Sequence, residues 1–255
     1  NILFLFCSKI WGFRRKHLFE HQKLSGKGFR MTLKIVVLLF DGFTMLDAVG
    51  PIEVLSLLPD VDIKVVAKTP SIIWPDNRAV PFIAPFGIAN VRDADVLLIL
   101  GGPGSDAIEN DIETLNWVRH IDAAAQWTCS LCTGALILAA AGLLKGKEAT
   151  THWSVLARLS EFGALPRTKR WVESGKVITA AGVSAGIDMA LLLASRLNGD
   201  RAAQAIQLSI EYDPAPPFRS GSVYSAGPDV VSAIMDGTVE FNRAGRTRPT
   251  IPRPI

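Results

Sequence analysis

The most reactive feature of this 255-residue sequence is a cysteine at the corner between a predicted strand and a predicted helix. The segment Trp127–Ala135 runs from strand to helix around Cys132, and the small residues Ser130 and Gly134 lie two positions to either side. Small residues allow so sharp a turn, as in a nucleophile elbow. The helix amides and dipole would stabilise a thiolate, and the same amides could hold an oxyanion. A buried cysteine that acts as a small hydrophobe is the alternative.

Cys129 completes a C-x-x-C pattern with Cys132, which is typical of redox pairs. Such pairs occupy the first turn of a helix, whereas Cys129 falls inside the predicted strand. An odd separation along a strand directs its side chain to the other face. We therefore predict that Cys129 belongs to the core.

Three further side chains could supply an acid, a base or an orienting group. Asp47 lies among apolar neighbours, and a partly buried carboxyl there would have a raised pKa and could exchange a proton at neutral pH. A helix-capping or solvent-facing Asp is the alternative. His152 could be the base partner of the thiol or a structural histidine beside Trp153. Asp188 could be a third member or a first-turn carboxylate favoured by the helix dipole.

A glycine-rich turn, Gly101–Gly104, follows a strongly apolar strand. Ligands bind at the carboxyl edge of such strands, and Gly101 and Gly102 would let backbone amides approach a substrate there. Pro103 removes one N–H donor from the turn. The Lys-Ser/Thr ending of a phosphate-binding loop is missing.

Strands that alternate with helices predict a parallel sheet covered on both faces, in an α/β fold. The predicted strands are Ile35–Phe40, Ile63–Ala67, Val96–Leu100 and Trp127–Leu131, with a hairpin arm at Val80–Ile83 and a hairpin of Trp171–Glu173 and Lys176–Thr179 around Ser174-Gly175. The predicted helices are Thr44–Leu58, Asp111–Ala125, Thr133–Leu144, Ala185–Leu197, Arg201–Ile210 and Val230–Val239.

The first thirty residues differ from the rest in charge. They hold seven Lys/Arg and one acid, which leaves 20 basic and 23 acidic residues in 31–255 and argues against nucleic-acid binding. We predict that 1–30 is an extension outside the native fold, that 31–218 is the catalytic domain, and that 219–255 is a helix with a disordered tail. The H-x-x-E-H pattern at His17–His21 has no downstream ligand helix, so we expect no metal.

Three cysteines cannot build a disulfide framework, and this usage predicts a reducing cytoplasm. No run of about 18 apolar residues predicts a membrane span. We therefore expect a small-molecule substrate, with neither nucleic acid nor membrane as partner.

From Thr32 to Phe218 the chain resembles the PfpI/ThiJ superfamily, which has a class I glutamine-amidotransferase-like fold. The motifs that carry the resemblance are Leu46-Asp47 with Gly50-Pro51, the glycine turn, Ser130–Ala135, Ala149–Trp153 and Ala185–Asp188. The segment Gln207–Phe218 is more particular and looks like the isonitrile hydratase branch.

The resemblance implies a three-layer sandwich with a flavodoxin-like, mostly parallel sheet and a small hairpin excursion. It also implies a cofactor-free hydro-lyase, commonly a homodimer. Cys132 would attack an isocyanide, and Asp47 would donate the proton and later activate water, giving an N-substituted formamide through a thioimidate. Thr133 and the amides around Gly102 and Cys132 would stabilise developing charge. Asp at position 47, where other branches have Glu, favours this branch.

Two other kinds of function remain open. The same motifs resemble the sensing domain of AraC-type transcription regulators, which need a helix-turn-helix region of roughly 100 further residues. Only 37 residues follow Phe218, so we expect the enzyme. The other possibilities are amidase, protease or glyoxalase-like chemistry, or oxidation sensing by a reactive thiolate.

Overall fold

The computed structural model describes residues 32–236, in which strands and helices alternate along most of the chain. The strands are β1 (Leu33–Leu38), β2 (Val61–Ala67), β3 (Ser71–Ile73), β4 (Phe82–Ala84), β5 (Phe86–Gly87), β6 (Val96–Ile99), β7 (Trp127–Ser130), β8 (Glu148–Ala149), β9 (Leu165–Pro166), β10 (Trp171–Ser174) and β11 (Val177–Ala180). The α-helices are α1 (Met45–Ser56), α2 (Ser105–Glu109), α3 (Ile112–Ala124), α4 (Gly134–Ala140), α5 (Ala185–Asn198), α6 (Asp200–Ser209) and α7 (Pro228–Met235), and 3₁₀ segments span Ile88–Asn90 and Trp153–Phe162.

Several predictions about the chain ends fall outside the described residues. They concern the extension 1–30, the start of the domain at Met31, the pattern at His17–His21 and the tail from residue 237 onward.

The central sheet has seven strands in the order β10-β11-β7-β6-β1-β2-β5. Every neighbouring pair is parallel except β10 with β11. Parallel neighbours need crossover connections. Helices lie in these connections except between β2 and β5, which are joined through the β3–β4 hairpin. The predicted α/β architecture with a mostly parallel sheet is confirmed.

The middle of the sheet is buried on both faces. All four residues of β6 have no exposed surface, and β11 is buried along its whole length. Continuous apolar runs of this kind are typical of strands that are covered by helices on both sides. The helices pack in two groups, α1 with α5 and α6, and α4 with α2 and α3.

The hairpins lie close to their predicted places with shifted bounds. β4 pairs with β3, whereas the predicted arm, Val80–Ile83, began two residues too early. Pro81 has no N–H to donate to a ladder, so the strand begins after it. In the second hairpin Ser174 pairs with Val177, which places the two-residue loop at Gly175-Lys176 rather than at Ser174-Gly175. Gly175 has φ +64°, a conformation that serine adopts only with strain.

Candidate active site

Four adjacent strands bring the candidate residues to one edge of the sheet. The strands β11, β7, β6 and β1 are neighbours and parallel, so their carboxyl ends lie side by side. The chain leaves these ends at Ala181, Leu131, Leu100 and Leu39. The nucleophile turn, the glycine turn and the start of α1 therefore meet where ligands bind in open α/β sheets.

Cys132 occupies a strained corner between β7 and α4. Its φ is +50°, a left-handed conformation that costs a non-glycine residue about 1–2 kcal/mol. Two hydrogen bonds hold it there: its N–H donates to the Ala181 carbonyl at 2.9 Å, and its carbonyl accepts from the Thr151 hydroxyl at 2.6 Å. The side chain is buried, with 5% of the residue exposed. The predicted elbow geometry is present.

Small residues around the corner are required by the close approach of the neighbouring strand. A Cβ on Gly134 would lie 2.5 Å from the Leu100 carbonyl oxygen, and one on Gly101 would lie 2.7 Å from the Cβ of Cys132. Both distances are shorter than carbon contacts allow. The glycine turn therefore presses directly against the nucleophile.

Asp47 is fully buried in the first turn of α1. Its Oδ2 accepts the Gly101 N–H at 2.9 Å, while its Oδ1 has no hydrogen-bond partner within residues 32–236. Burial raises the pKa of this carboxyl from 3.8 to about 7, against the lowering effect of the Gly101 hydrogen bond and with a smaller raising effect from the nearby Asp76. Desolvation outweighs the hydrogen bond, so the carboxyl exchanges its proton near neutral pH.

Gly101 is the residue that links the carboxyl to the thiol. Its N–H is bound by Asp47, its carbonyl accepts the N–H of Thr44 at 2.8 Å, and its Cα faces the Cβ of Cys132. The beginning of α1 thus forms hydrogen bonds with both the N–H and the carbonyl of Gly101. Asp47 and Cys132 contact the same residue although 85 positions separate them in sequence.

The Thr133 hydroxyl belongs to a closed network. It donates to the Gly102 carbonyl at 3.1 Å and accepts both the Gly102 N–H at 2.8 Å and the Ser105 hydroxyl at 3.0 Å. A hydroxyl has one proton, so it has none left for a substrate in this arrangement. Ser105, which is buried at the start of α2, was not predicted to belong to the site. Its position directly after the glycine turn is the signal that could have identified it.

Most of the backbone N–H groups near Gly102 and Cys132, which the resemblance implies as oxyanion donors, already have acceptors in this structure. The N–H groups of Gly101, Gly102 and Cys132 already donate to Asp47, Thr133 and Ala181. The N–H of Thr133 has no acceptor within residues 32–236, and its nitrogen lies against the Cα of Gly101. The amide that follows the nucleophile is the usual donor of an elbow. Of these four amides, only that of Thr133 thus keeps an N–H without an acceptor within residues 32–236.

His152 lies at the same edge, just before the 3₁₀ segment Trp153–Phe162. Its Nδ1 is 2.8 Å from the Ser154 hydroxyl, its ring centroid lies 5.5 Å from that of Trp153, and its Cδ2 faces Gly182. Gly182 follows Ala181, which accepts the Cys132 amide. The contact with Trp153 fits the structural role, and the position beside Gly182 fits a role at the site.

Asp188 is held by two neighbours rather than exposed at the edge. Its Oδ2 pairs with the Arg170 guanidinium, and its Oδ1 accepts the Tyr212 hydroxyl at 2.9 Å. Neither Arg170 nor Tyr212 was predicted to belong to the site. The Asp188 carboxylate is thus tied into an ion pair in the first turn of α5.

Cys129 lies in the core, as predicted, and is fully buried. Burial raises the pKa of its thiol far above the ordinary value, so it stays protonated. Neither Cys129 nor Cys132 forms a disulfide. Of the two cysteines in the C-x-x-C pattern, only Cys132 lies at the corner between β7 and α4.

Residues 32–236 carry neither a metal-binding cluster nor a membrane-spanning helix. No group of three or more His, Cys, Asp or Glu residues in this range could hold a metal ion. None of the helices in the same range is long and apolar enough to cross a bilayer.

Known proteins share the sequence and the fold of this chain. The DJ-1/PfpI family model matches residues 33–196. The isonitrile hydratase of Pseudomonas putida is 42% identical over 215 residues, which cover 81% of this chain and 88% of that protein. The crystal structure of a ThiJ/PfpI family protein from Pseudomonas syringae superposes with a TM-score of 0.79 at 35% identity, covering 89% of this chain and 96% of that one.

A transcription regulator also shares part of the sequence. The HTH-type regulator GbdR of Pseudomonas aeruginosa is 27% identical over 189 residues, which cover 69% of this chain and 50% of the regulator. The likeness thus spans half of that protein.

Proposed function

The chain belongs to the DJ-1/PfpI family, and from this premise we propose that it is a cysteine-dependent hydro-lyase that adds water to isocyanides. The carboxyl of Asp47 carries the proposal, because it is buried, has one unpartnered oxygen and meets Cys132 across Gly101. Addition of water needs a nucleophile and a group that gives and takes protons near neutral pH. The identity to the isonitrile hydratase of Pseudomonas putida supports the choice of substrate.

In the first step the Cys132 thiolate bonds to the terminal carbon of the isocyanide. One C–N π pair moves to nitrogen, and the lone pair on carbon takes the proton of Asp47. The products are a thioimidate on Cys132 and an Asp47 carboxylate. The positive end of α4 favours the thiolate that starts this step.

In the second step the Asp47 carboxylate activates water, whose oxygen attacks the thioimidate carbon. Asp47 passes one water proton to nitrogen and takes up the second as the C–S bond breaks. An N-substituted formamide leaves, and the thiolate and the protonated carboxyl are restored. A carboxyl with a pKa of about 7 suits both directions of transfer.

Two further groups have roles in this proposal. The Thr133 N–H receives the charge that develops on the oxygen of the tetrahedral intermediate. His152, beside Gly182, orients the thiol or the substrate rather than replacing Asp47 as proton carrier.

The test is the conversion of a simple aryl isocyanide to its formamide by the wild type, Cys132→Ala and Asp47→Asn. Asp62→Asn makes the same exchange as Asp47→Asn at an exposed position of β2 and serves as the matched control. We expect both site variants to lose turnover while the control keeps it. A folded wild type that turns over no isocyanide, although Cys132 alkylates readily, would refute this chemistry.

A ligand-sensing domain is the second candidate, favoured by the partial identity to GbdR. Tight binding of a small molecule without turnover would identify a sensor. Amidase, protease and glyoxalase-like activities are tested by offering amide, peptide and 2-oxoaldehyde substrates to the wild type and Cys132→Ala. In each of these reactions Cys132 would still be the nucleophile, and a carbonyl group rather than an isocyanide would be the electrophile.

We also propose that the protein is a homodimer in a reducing cytoplasm. Apolar side chains are exposed on two helices, Leu46 and Val49 on α1 and Val230 and Ile234 on α7. Exposed apolar surface of this kind supports association of copies. Sedimentation of the wild type and of Val49→Glu tests the assembly, and a monomeric wild type would contradict it.

A further inference from the structure

A line of backbone hydrogen bonds runs from Arg170 to the nucleophile. The Arg170 carbonyl accepts the Ala181 N–H at 2.9 Å, and the Ala181 carbonyl accepts the Cys132 N–H at 2.9 Å. The second of these bonds is one of the two that hold Cys132 at its positive φ. The strained corner therefore depends on where the segment 181–184 sits.

The side chain of Arg170 grips the other end of the same segment. Its Nε pairs with Asp188, and its Nη2 donates to the Ser184 hydroxyl at 3.2 Å. Ser184 directly precedes α5, and Asp188 lies in its first turn. Arg170 thus bridges the residues on both sides of the segment, through its carbonyl at Ala181 and through its guanidinium at Ser184 and Asp188.

We propose that Arg170 is a positioning residue that holds the segment 181–184 against the nucleophile turn. Asp188 then acts through Arg170 rather than on the substrate, and the Tyr212 hydroxyl fixes the second oxygen of that carboxylate. The inference rests on the nucleophilic role of Cys132 in the proposed function, but not on the identity of the electrophile. In this arrangement Asp188 contributes to the site by orienting Arg170, and it takes no part in a chemical step.

The geometry requires arginine rather than any cation. The guanidinium fork reaches a carboxylate and a hydroxyl at once through different nitrogens, whereas the lysine ammonium is a single point charge on a flexible stem. Lysine at position 170 would keep the charge opposite Asp188 and lose the simultaneous grip on Ser184. Arg170→Lys is therefore expected to restore only part of what Arg170→Met loses.

A second ion pair, which joins β10 to α5, supplies the matched control. Arg196, near the end of α5, pairs with Glu173 of β10 at 2.9 Å. Both arginine side chains are about half exposed. Arg196→Met breaks a comparable pair without touching the segment 181–184.

The experiment follows alkylation of Cys132 by iodoacetamide as a function of pH in the full-length protein. Mass spectrometry of the peptide that contains Cys132 separates it from the other cysteines. Two titratable groups of the site, Asp47 across Gly101 and His152 beside Gly182, are unchanged in every variant. Melting temperature and circular dichroism confirm that each variant is folded.

We expect Arg170→Met to slow alkylation at neutral pH by on the order of tenfold and to move the pH midpoint upward. Coupling through packed networks typically changes a site by about 2- to 30-fold. Arg170→Lys should recover part of the alkylation rate that Arg170→Met loses. The rate of Asp188→Asn should lie between those of Arg170→Met and the wild type. Arg196→Met should react at the wild-type rate. Equal rates for Arg170→Met and the wild type, or an equal loss in Arg196→Met, would overturn the proposal.

The isocyanide assay is read separately on the same proteins. Loss of alkylation in Arg170→Met, together with a wild type inactive on isocyanides, would retain the positioning role and refute the hydratase. Wild-type turnover that Asp188→Asn abolishes and Arg170→Met leaves intact would refute the positioning role and make Asp188 catalytic.

Discussion

Replacing Asp47 by Asn changes the way in which stability depends on pH. The pKa of the buried carboxyl is about 7 in the folded protein and 3.8 as its ordinary value, so the folded state holds the proton more tightly. Between about pH 4 and pH 7 the folded state binds more protons than the unfolded one, and stability falls as the pH rises. The full effect of about three pH units is about 4 kcal/mol, since each unit is worth roughly 1.4 kcal/mol.

Most of that effect lies in an accessible range. Integration with the same two pKa values places about 3 kcal/mol of the loss between pH 5 and pH 8. Asn stays neutral throughout, and its side-chain oxygen can still accept the Gly101 N–H. Asp47→Asn should therefore be about 1.7 kcal/mol more stable than the wild type at pH 5 and about 4 kcal/mol more stable at pH 8, a gap that widens by about 3 kcal/mol across the range.

Urea unfolding at half-unit steps from pH 5 to pH 8 measures this difference. All other titrating groups are common to both proteins, so the difference between the two curves isolates position 47. Asp62→Asn, exposed on β2, makes the same chemical exchange and should run parallel to the wild type. A constant difference between Asp47→Asn and the wild type across the range would refute the raised pKa and the proton-carrier role built on it.

Three further predictions concern the same edge of the sheet. Gly101→Ala should lower the free energy of unfolding by about 1–3 kcal/mol and remove activity, because the new methyl would sit 2.7 Å from the Cβ of Cys132, whereas Gly221→Ala in open space should do neither in the same assays. Thr151→Val should cost about 1–3 kcal/mol in urea unfolding and slow alkylation of Cys132, because it leaves the buried Cys132 carbonyl without its 2.6 Å donor. The alkaline limb of the rate profile for isocyanide hydration should fall above about pH 7, as Asp47 loses the proton it donates, and a rate that keeps rising to pH 9 would contradict this.

The strand-to-helix corner at Cys132 was predictable because its signals are local. A strand that turns into an Ala/Leu helix at a cysteine flanked by small residues specifies the corner within nine positions, and the structure shows Cys132 there at φ +50°. The prediction that Cys129 belongs to the core, and not to a redox pair, followed from its place inside a strand. Its full burial confirms that it lies in the core. Asp47 was also accessible, because a carboxylate among apolar neighbours signals burial and a raised pKa before any contact is known.

The bounds of short elements were less accessible. The strand β3, which pairs with β4 in the first hairpin, is only three residues long, and β8 and β9 have two residues each. Such segments are too short to show periodicity, so only pairing with a neighbour defines them. The start of β4 was still within reach, because Pro81 marks it.

Composition, apolar runs and local turns determined the sheet class, the elbow and the candidate proton carrier by themselves. Only the tertiary structure decided which groups meet, because strand order places the ends of β11, β7, β6 and β1 side by side although they are far apart along the chain. That order commits the Gly101 N–H to Asp47 and leaves the Thr133 N–H without an acceptor within residues 32–236. It also brings Arg170 within reach of both Ser184 and Asp188. Contacts of this kind depend on distances in space, which no local pattern encodes.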